Sequence, residues 1–134
     1  MLPPDATAAP QATPPLGVLL VSPDLMVTSR LAGLAREVPA RIETLRSLDG
    51  AVAGPRNCRL AVIDLGAIDG DPAVIIAKVR SVVGGDVVVA AFGPHVARQR
   101  LDDARAAGAE HVVSRGELLG AFASLVRRWC GVGS

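Results

Sequence analysis

Tyrosine is missing from this chain altogether, and Phe92, Phe122 and Trp129 are its whole aromatic complement, so it has no platform on which nucleic-acid bases could stack. Charge imbalance is missing too. Fourteen basic against thirteen acidic residues leave a net charge of +1, too little to steer the protein to nucleic acid or to an anionic membrane. Cys58 and Cys130 are the two cysteines, and they match no closely spaced metal-ligand pattern; free thiols are expected. No apolar run approaches the length of a membrane span, and no basic segment followed by an apolar stretch opens the chain. A cytoplasmic location without membrane contact is therefore expected. Lysine is nearly absent, Lys78 standing against thirteen arginines, which together with abundant alanine suggests a coding bias more than a function.

What the chain does contain is apolar: half of its 134 residues, enough for one core and too few for two domains. Residues 1–15 hold five of the ten prolines and cannot bury enough surface to offset their ordering entropy, so a disordered or polyproline-like tail is expected there and a single domain over 16–134. Leu16 to Val21 reads as a first buried strand. Ser22-Pro23-Asp24 reads as a helix start, with Ser22 as N-cap, Pro23 at the first helical position and Asp24 against the dipole. Val27, Leu31, Leu34 and Val38 follow at helical spacing, and Pro39 ends that helix.

Ala40 to Leu45 carries alternating charge and reads as an edge strand, followed by a short helix over Ser47 to Ala53. Arg59 to Gly66 is an unbroken apolar run closed by Asp64, the pattern of a strand buried on both faces. Asp71-Pro72 starts a third helix with Ile75, Ile76, Val79, Val82 and Val83 inside, stopped at Gly84-Gly85. Asp86 to Phe92 is a fourth strand, Ala97, Leu101 and Ala104 mark a fourth helix ending at Gly108, and His111 to Val113 is a fifth strand. Ser114 and Glu117 form a capping box for a last helix that buries Leu118, Phe122, Leu125 and Trp129.

Five strands alternating with five helices predict an α/β fold, a doubly wound parallel sheet of flavodoxin-like order 2-1-3-4-5. Its switch point lies between strands one and three, where Ser22 to Asp24 and Asp64 meet.

From Leu16 to about Trp129 the chain resembles the receiver domains of bacterial response regulators, the chemotaxis-regulator-like family. Leu60-Ala61-Val62-Ile63-Asp64-Leu65 with Asp69-Gly70 beyond it, and Ala106-Ala107-Gly108-Ala109-Glu110, carry the resemblance. It implies that Asp64 stands at the phosphoacceptor position. In that family two acidic residues after the first strand help to hold Mg²⁺, a Lys pairs with the phosphoryl group and a Ser or Thr after the fourth strand reports it. Here the acidic pair reads Ser22-Pro23, with Asp24 displaced into the helix, so Asp24 and Asp64 make at most a weak Mg²⁺ site. The Lys position falls on Arg115, followed by Gly116, and the hydroxyl position on Gly93 or Ala91. The resemblance is thus to a degenerate receiver, a pseudo-receiver.

The expected function is a stand-alone receiver-like signalling module acting by protein–protein interaction independently of phosphorylation, without a cofactor and not an enzyme. One alternative is a phosphoacceptor receiver using Asp64, and another a small-molecule-binding or enzymatic flavodoxin-like domain, although Ser22-Pro23-Asp24 offers no glycine-rich phosphate cradle. Ser22, Asp24, Asp64, Gly93, His95 and Arg115 form the expected binding rim, with His95 in a position to pair with Asp64 or to meet a transition metal. His111 has no evident partner. The last helix carries a stripe wider than one buried face needs, so a homodimer through the fourth and fifth helices is expected, with Leu101, Arg105, Phe122 and Trp129 in the interface and Arg98, Arg100 and other arginines at its rim.

Overall fold

Apolar runs of about six residues, separated by segments with helical periodicity, leave the backbone two ways to satisfy its hydrogen bonds while burying both sheet faces: parallel strands within, helices outside. The computed structural model describes residues 16–49 and 58–131. Strands β1 (Leu16–Val21), β2 (Ala40–Leu45), β3 (Cys58–Asp64), β4 (Val88–Gly93) and β5 (His111–Ser114) form one parallel sheet in the order β2-β1-β3-β4-β5. Helices α1 (Leu25–Leu34), α2 (Pro72–Val83), α3 (Arg98–Ala106) and α4 (Arg115–Cys130) cover it.

Alternation along β3 divides the core. Leu60 and Val62 join Val18, Leu20 and Phe92 under α1 and α4, where Val27, Leu31, Phe122, Val126 and Trp129 pack. Ala61 and Ile63 join Leu19, Val21, Val89 and Ala91 under α2 and α3, against Ile75, Ile76, Val79, Leu101 and Ala104. None of the four helices is long and apolar enough to cross a membrane.

Local signals place most of the elements. Asp71 caps α2, its Oδ1 accepting from the Ala73 amide, with Pro72 at the first position. Ser114 and Glu117 close the capping box of α4 at 3.1 and 3.0 Å. The amide and hydroxyl of Ser114 hold the Glu117 carboxyl below its usual range. Gly108, at φ +104°, makes the turn from α3 into β5 that a residue with Cβ adopts only under strain.

Four expectations are corrected. The N-cap of α1 is Asp24 and not Ser22: the Asp24 carboxylate accepts from the Met26 and Val27 amides, and the helix begins at Leu25. The first helix ends at Leu34, and Ala35–Glu37 tighten into a 3₁₀ turn before Pro39. Residues 47–49 form a bend and turn, while the rest of the expected helix to Ala53, like the tail to Pro15, lies outside the described residues. Leu101, Phe122 and Trp129 are 9, 2 and 8% exposed and belong to the domain's own core, so of the expected interface residues only Arg105 is left at the surface. The α4 backbone leaves helical geometry at Ala121 (φ −146°, ψ 32°); the helix need not present one straight stripe, and Leu118, Phe122, Leu125, Val126 and Trp129 all bury.

His111 does have a partner: its ring stacks on Trp129 with centroids 5.0 Å apart and planes 14° from parallel, tying β5 to the last turn of α4. Cys58 and Cys130 are free, half-buried thiols whose burial pushes both of them up, away from the reactive thiolate.

At the lower edge of the sheet Arg80 donates to the carbonyls of Val87 (2.8 Å) and Gly108 (3.2 Å) and to Glu110 Oε1 (2.8 Å), which also accepts from the Val89 amide (2.9 Å). Burial pushes the Glu110 carboxyl up, but the Val89 amide and then Arg80 outweigh it and hold the group below its usual range. Its contribution to stability is therefore complete above the unfolded value of about 4.3 and fades as pH falls through the lower folded one. Urea titrations at neutral and acid pH should show Glu110→Gln less stable at neutral pH, by under about 1 kcal/mol for so exposed a pair, and less sensitive to acid. Identical pH profiles would contradict this assignment.

Candidate functional site

The carboxyl ends of β1 and β3 meet at the topological switch point, the place where open α/β sheets bind ligands. Asp64 closes β3 there, with 0% of its surface exposed. Its Oδ2 accepts from the Ser22 hydroxyl at 2.8 Å and its Oδ1 from the Gly66 amide at 3.1 Å. Ser22, also 0% exposed, accepts in turn from the Asp24 amide at 3.1 Å. The β1–α1 loop is thus closed by its own hydrogen bonds, and the Asp24 carboxylate occupies the first amides of α1. A phosphate needs those same groups at a nucleotide-binding loop.

The remaining rim residues divide. Gly93 ends β4 beside the Gly66 amide, 3.6 Å from where a Cβ on Gly93 would lie, so a larger side chain meets only ordinary contacts there. Arg115, the first residue of α4, reaches across from the other side: its Nη2 is 3.5 Å from the position of a Gly66 Cβ, and its Nε is buried without a hydrogen-bond partner among the described residues. It makes no ion pair with Asp64. His95 is not brought in. It sits exposed in the turn that the Ala97 amide closes on Pro94, outside α3, with no hydrogen bond to Asp64.

Gly66 is where the rim is tightest. A Cβ there would stand 2.8 Å from Pro94 Cδ and 3.4 Å from Asp64 Oδ1, so only glycine lets the loop pass between the carboxyl and the proline ring. Arg100, which the sequence suggested only as a surface arginine, is a member of the site. From α3 its Nε donates to Leu65 O (3.2 Å), its Nη1 to Gly70 O (2.7 Å) and its Nη2 to Ile68 O (2.8 Å), gripping the β3–α2 loop. A cleft of about 340 Å³ opens next to this loop, between Pro23, Arg46, Leu48, Ile68 and Lys78. Its walls do not include Asp64 or Arg115.

The residues present do not fit Mg²⁺. That ion asks for several oxygen ligands in octahedral order with access for water. Asp64 is sealed and hydrogen-bonded on both oxygens, Asp24 is turned onto helix amides and a hydroxyl stands at Ser22. Among the described residues no group of three or more His, Cys, Asp or Glu side chains is placed to hold a metal. The Asp24 and Asp64 carboxylates expected to make a weak site are each engaged by other donors, Asp24 by the Met26 and Val27 amides and Asp64 by the Ser22 hydroxyl and the Gly66 amide.

No family model and no curated protein matches the chain. Solved structures do resemble it. The receiver domain of a sensor histidine kinase from Pseudomonas aeruginosa, which has a magnesium ion coordinated in its active-site cleft, is 15% identical and covers 87% of this chain and 98% of its own, with a TM-score of 0.69. A pilus assembly-related protein from Burkholderia pseudomallei is 21% identical over 89% of this chain and 92% of its own, at 0.61. An atypical orphan response regulator, described as having a phosphorylation-independent regulatory mechanism, is 13% identical over 89% and 98%, at 0.64. At such identities the likeness is one of fold, and together with the strand order β2-β1-β3-β4-β5 it establishes that this chain has the flavodoxin-like receiver fold of response regulators.

Proposed function

We propose that the chain is a receiver-like signalling module that works through protein–protein contact and not through phosphoryl transfer at Asp64. The observation that carries this reading is the sealed carboxyl: Asp64 is wholly buried, with Ser22 on one oxygen and the Gly66 amide on the other. A carboxylate attacks phosphorus only when an oxygen lone pair faces the donor, and the negative charge of the transferred group needs a cation beside it. Both oxygens are engaged, and the residues that would hold Mg²⁺ are turned elsewhere. One structural neighbour is itself described as regulated without phosphorylation. An enzyme of nucleotide-binding type is disfavoured by the closed β1–α1 loop, and the cleft beside the rim contains neither Asp64 nor Arg115.

The test is acetyl phosphate with Mg²⁺ followed by intact-mass measurement of the full chain. No adduct is expected. A gain of one phosphoryl group, mapped to Asp64 by peptide mass spectrometry, would overturn the reading.

A further inference from the structure

Strand β2 is an edge: it pairs with β1 on one side and with no other strand among the described residues. Two hydrogen bonds at the ends of β1 fix which groups of β2 face outward. The Leu16 amide donates to Pro39 O (2.9 Å) and the Ser22 amide to Leu45 O (3.0 Å), so the odd-numbered residues turn their backbone groups toward β1. Ala40, Ile42 and Thr44, between them, turn theirs away from the sheet. The side chains alternate too. Arg41 and Glu43 stand exposed on the face of α2 and α3, while Ala40 and Ile42 pack partly against the α1 cluster. Next to them lies a shallow groove of about 260 Å³ lined by Ala32, Ala35, Arg36, Val38, Ala40 and Ile42.

We infer that β2 is a homodimerisation edge, on which a second copy pairs antiparallel about a two-fold axis at Ile42, joining the two sheets into one. The register follows from charge. A two-fold at Ile42 sets Arg41 opposite Glu43 of the second copy, and Glu43 opposite its Arg41, on the same sheet face. A two-fold at Arg41 or at Glu43 would set like charges against each other. The Ile42 register also uses the free outward donors: Ile42 bonds reciprocally across the axis, and the Thr44 amide meets the Ala40 carbonyl on either side, the Ala40 amide being already taken by Val38 O at 2.8 Å. It brings the second Ile42 to the edge of the groove, beside Val38 and Ile42 of the first copy. This surface is distinct from the α3 and α4 face, whose apolar side chains are spent in the core.

Sedimentation equilibrium of the full chain over a concentration series into the high-micromolar range tests this, with far-UV circular dichroism to check the fold of each variant. The wild type is expected to dimerise. Arg41→Glu and Glu43→Arg each make both cross-strand pairs repulsive and should weaken the dimer by about tenfold or more, whereas the double exchange Arg41→Glu with Glu43→Arg restores opposite charges and should restore the dimer. Thr44→Pro removes an outward amide without touching the β1 ladder and should also weaken it. A wild type that stays monomeric throughout, or a dimer indifferent to the single exchanges, or a double exchange that fails to recover association, would overturn the inference. In that case the paired charges only protect an open edge from aggregation.

Discussion

Ser22→Ala should lower the stability of the domain by about 2–3 kcal/mol, on the order of 10 °C in Tm, although it removes a single oxygen. Ser22 and Asp64 are both 0% exposed, so water does not take the place of the lost hydroxyl. Two groups are stranded at once: Asp64 Oδ2 loses its donor and the Asp24 amide loses its acceptor. The bland view of Ser22, a helix cap at the surface, predicts a different result, since a cap replaced by Ala costs about 1 kcal/mol and the real cap is Asp24. Thermal or urea denaturation of Ser22→Ala, Asp64→Ala and the double variant separates the two. A coupling of about 1 kcal/mol or more between the two sites is expected, and additive losses would show that the 2.8 Å bond contributes nothing specific.

Phe122→Ala should cost more, about 3–5 kcal/mol, because the ring is 2% exposed and packs from α4 into the cluster beneath α1 and the sheet. The same substitution discriminates between two roles for the broad stripe of the last helix. A residue of a dimer interface would shift the association constant while leaving the monomer's denaturation curve nearly unchanged. A core residue does the reverse. Denaturant titration together with sedimentation is the measurement, and a Phe122→Ala monomer with wild-type stability would refute the assignment to the core.

Much of this fold was legible because its signals are local. Six or seven apolar residues in a row mark a buried strand wherever they occur, and Asp71-Pro72, Ser114 with Glu117, and Gly108 act on amides and dihedrals within a few residues of themselves. The strand order followed from the alternation of elements and the polarity of β2. Where two local signals compete, sequence alone does not choose. Ser22 and Asp24 are both N-cap types; Asp24 wins the helix because Ser22 is needed by a carboxyl 42 residues away, a partner that no window of sequence contains. Arg100 and the His111–Trp129 stack were illegible for the same reason, since nothing about an arginine in a basic helix announces that it faces three loop carbonyls. The apolar stripe of α4 misled by its width, although Leu118, Phe122, Leu125, Val126 and Trp129 recur at spacings that one core-facing helix side accommodates, and all of them bury. Asp64 was found as a landmark by the run that ends on it; its seal was not, because burial of a strand-end carboxyl depends on the loops above it.

The grip of Arg100 bears on motion as well as on shape. The carbonyls of Leu65, Ile68 and Gly70 are held from α3, while the amide of Gly66 is held by the Asp64 side chain and those of Ala67 and Ile68 by its backbone oxygen. Six backbone groups of one short loop are thus held, three from α3 and three from Asp64. Because the same guanidinium holds three of them, the loop is expected to open together with the start of α3, and amide exchange at Gly66, Ala67 and Ile68 should slow or quicken in step.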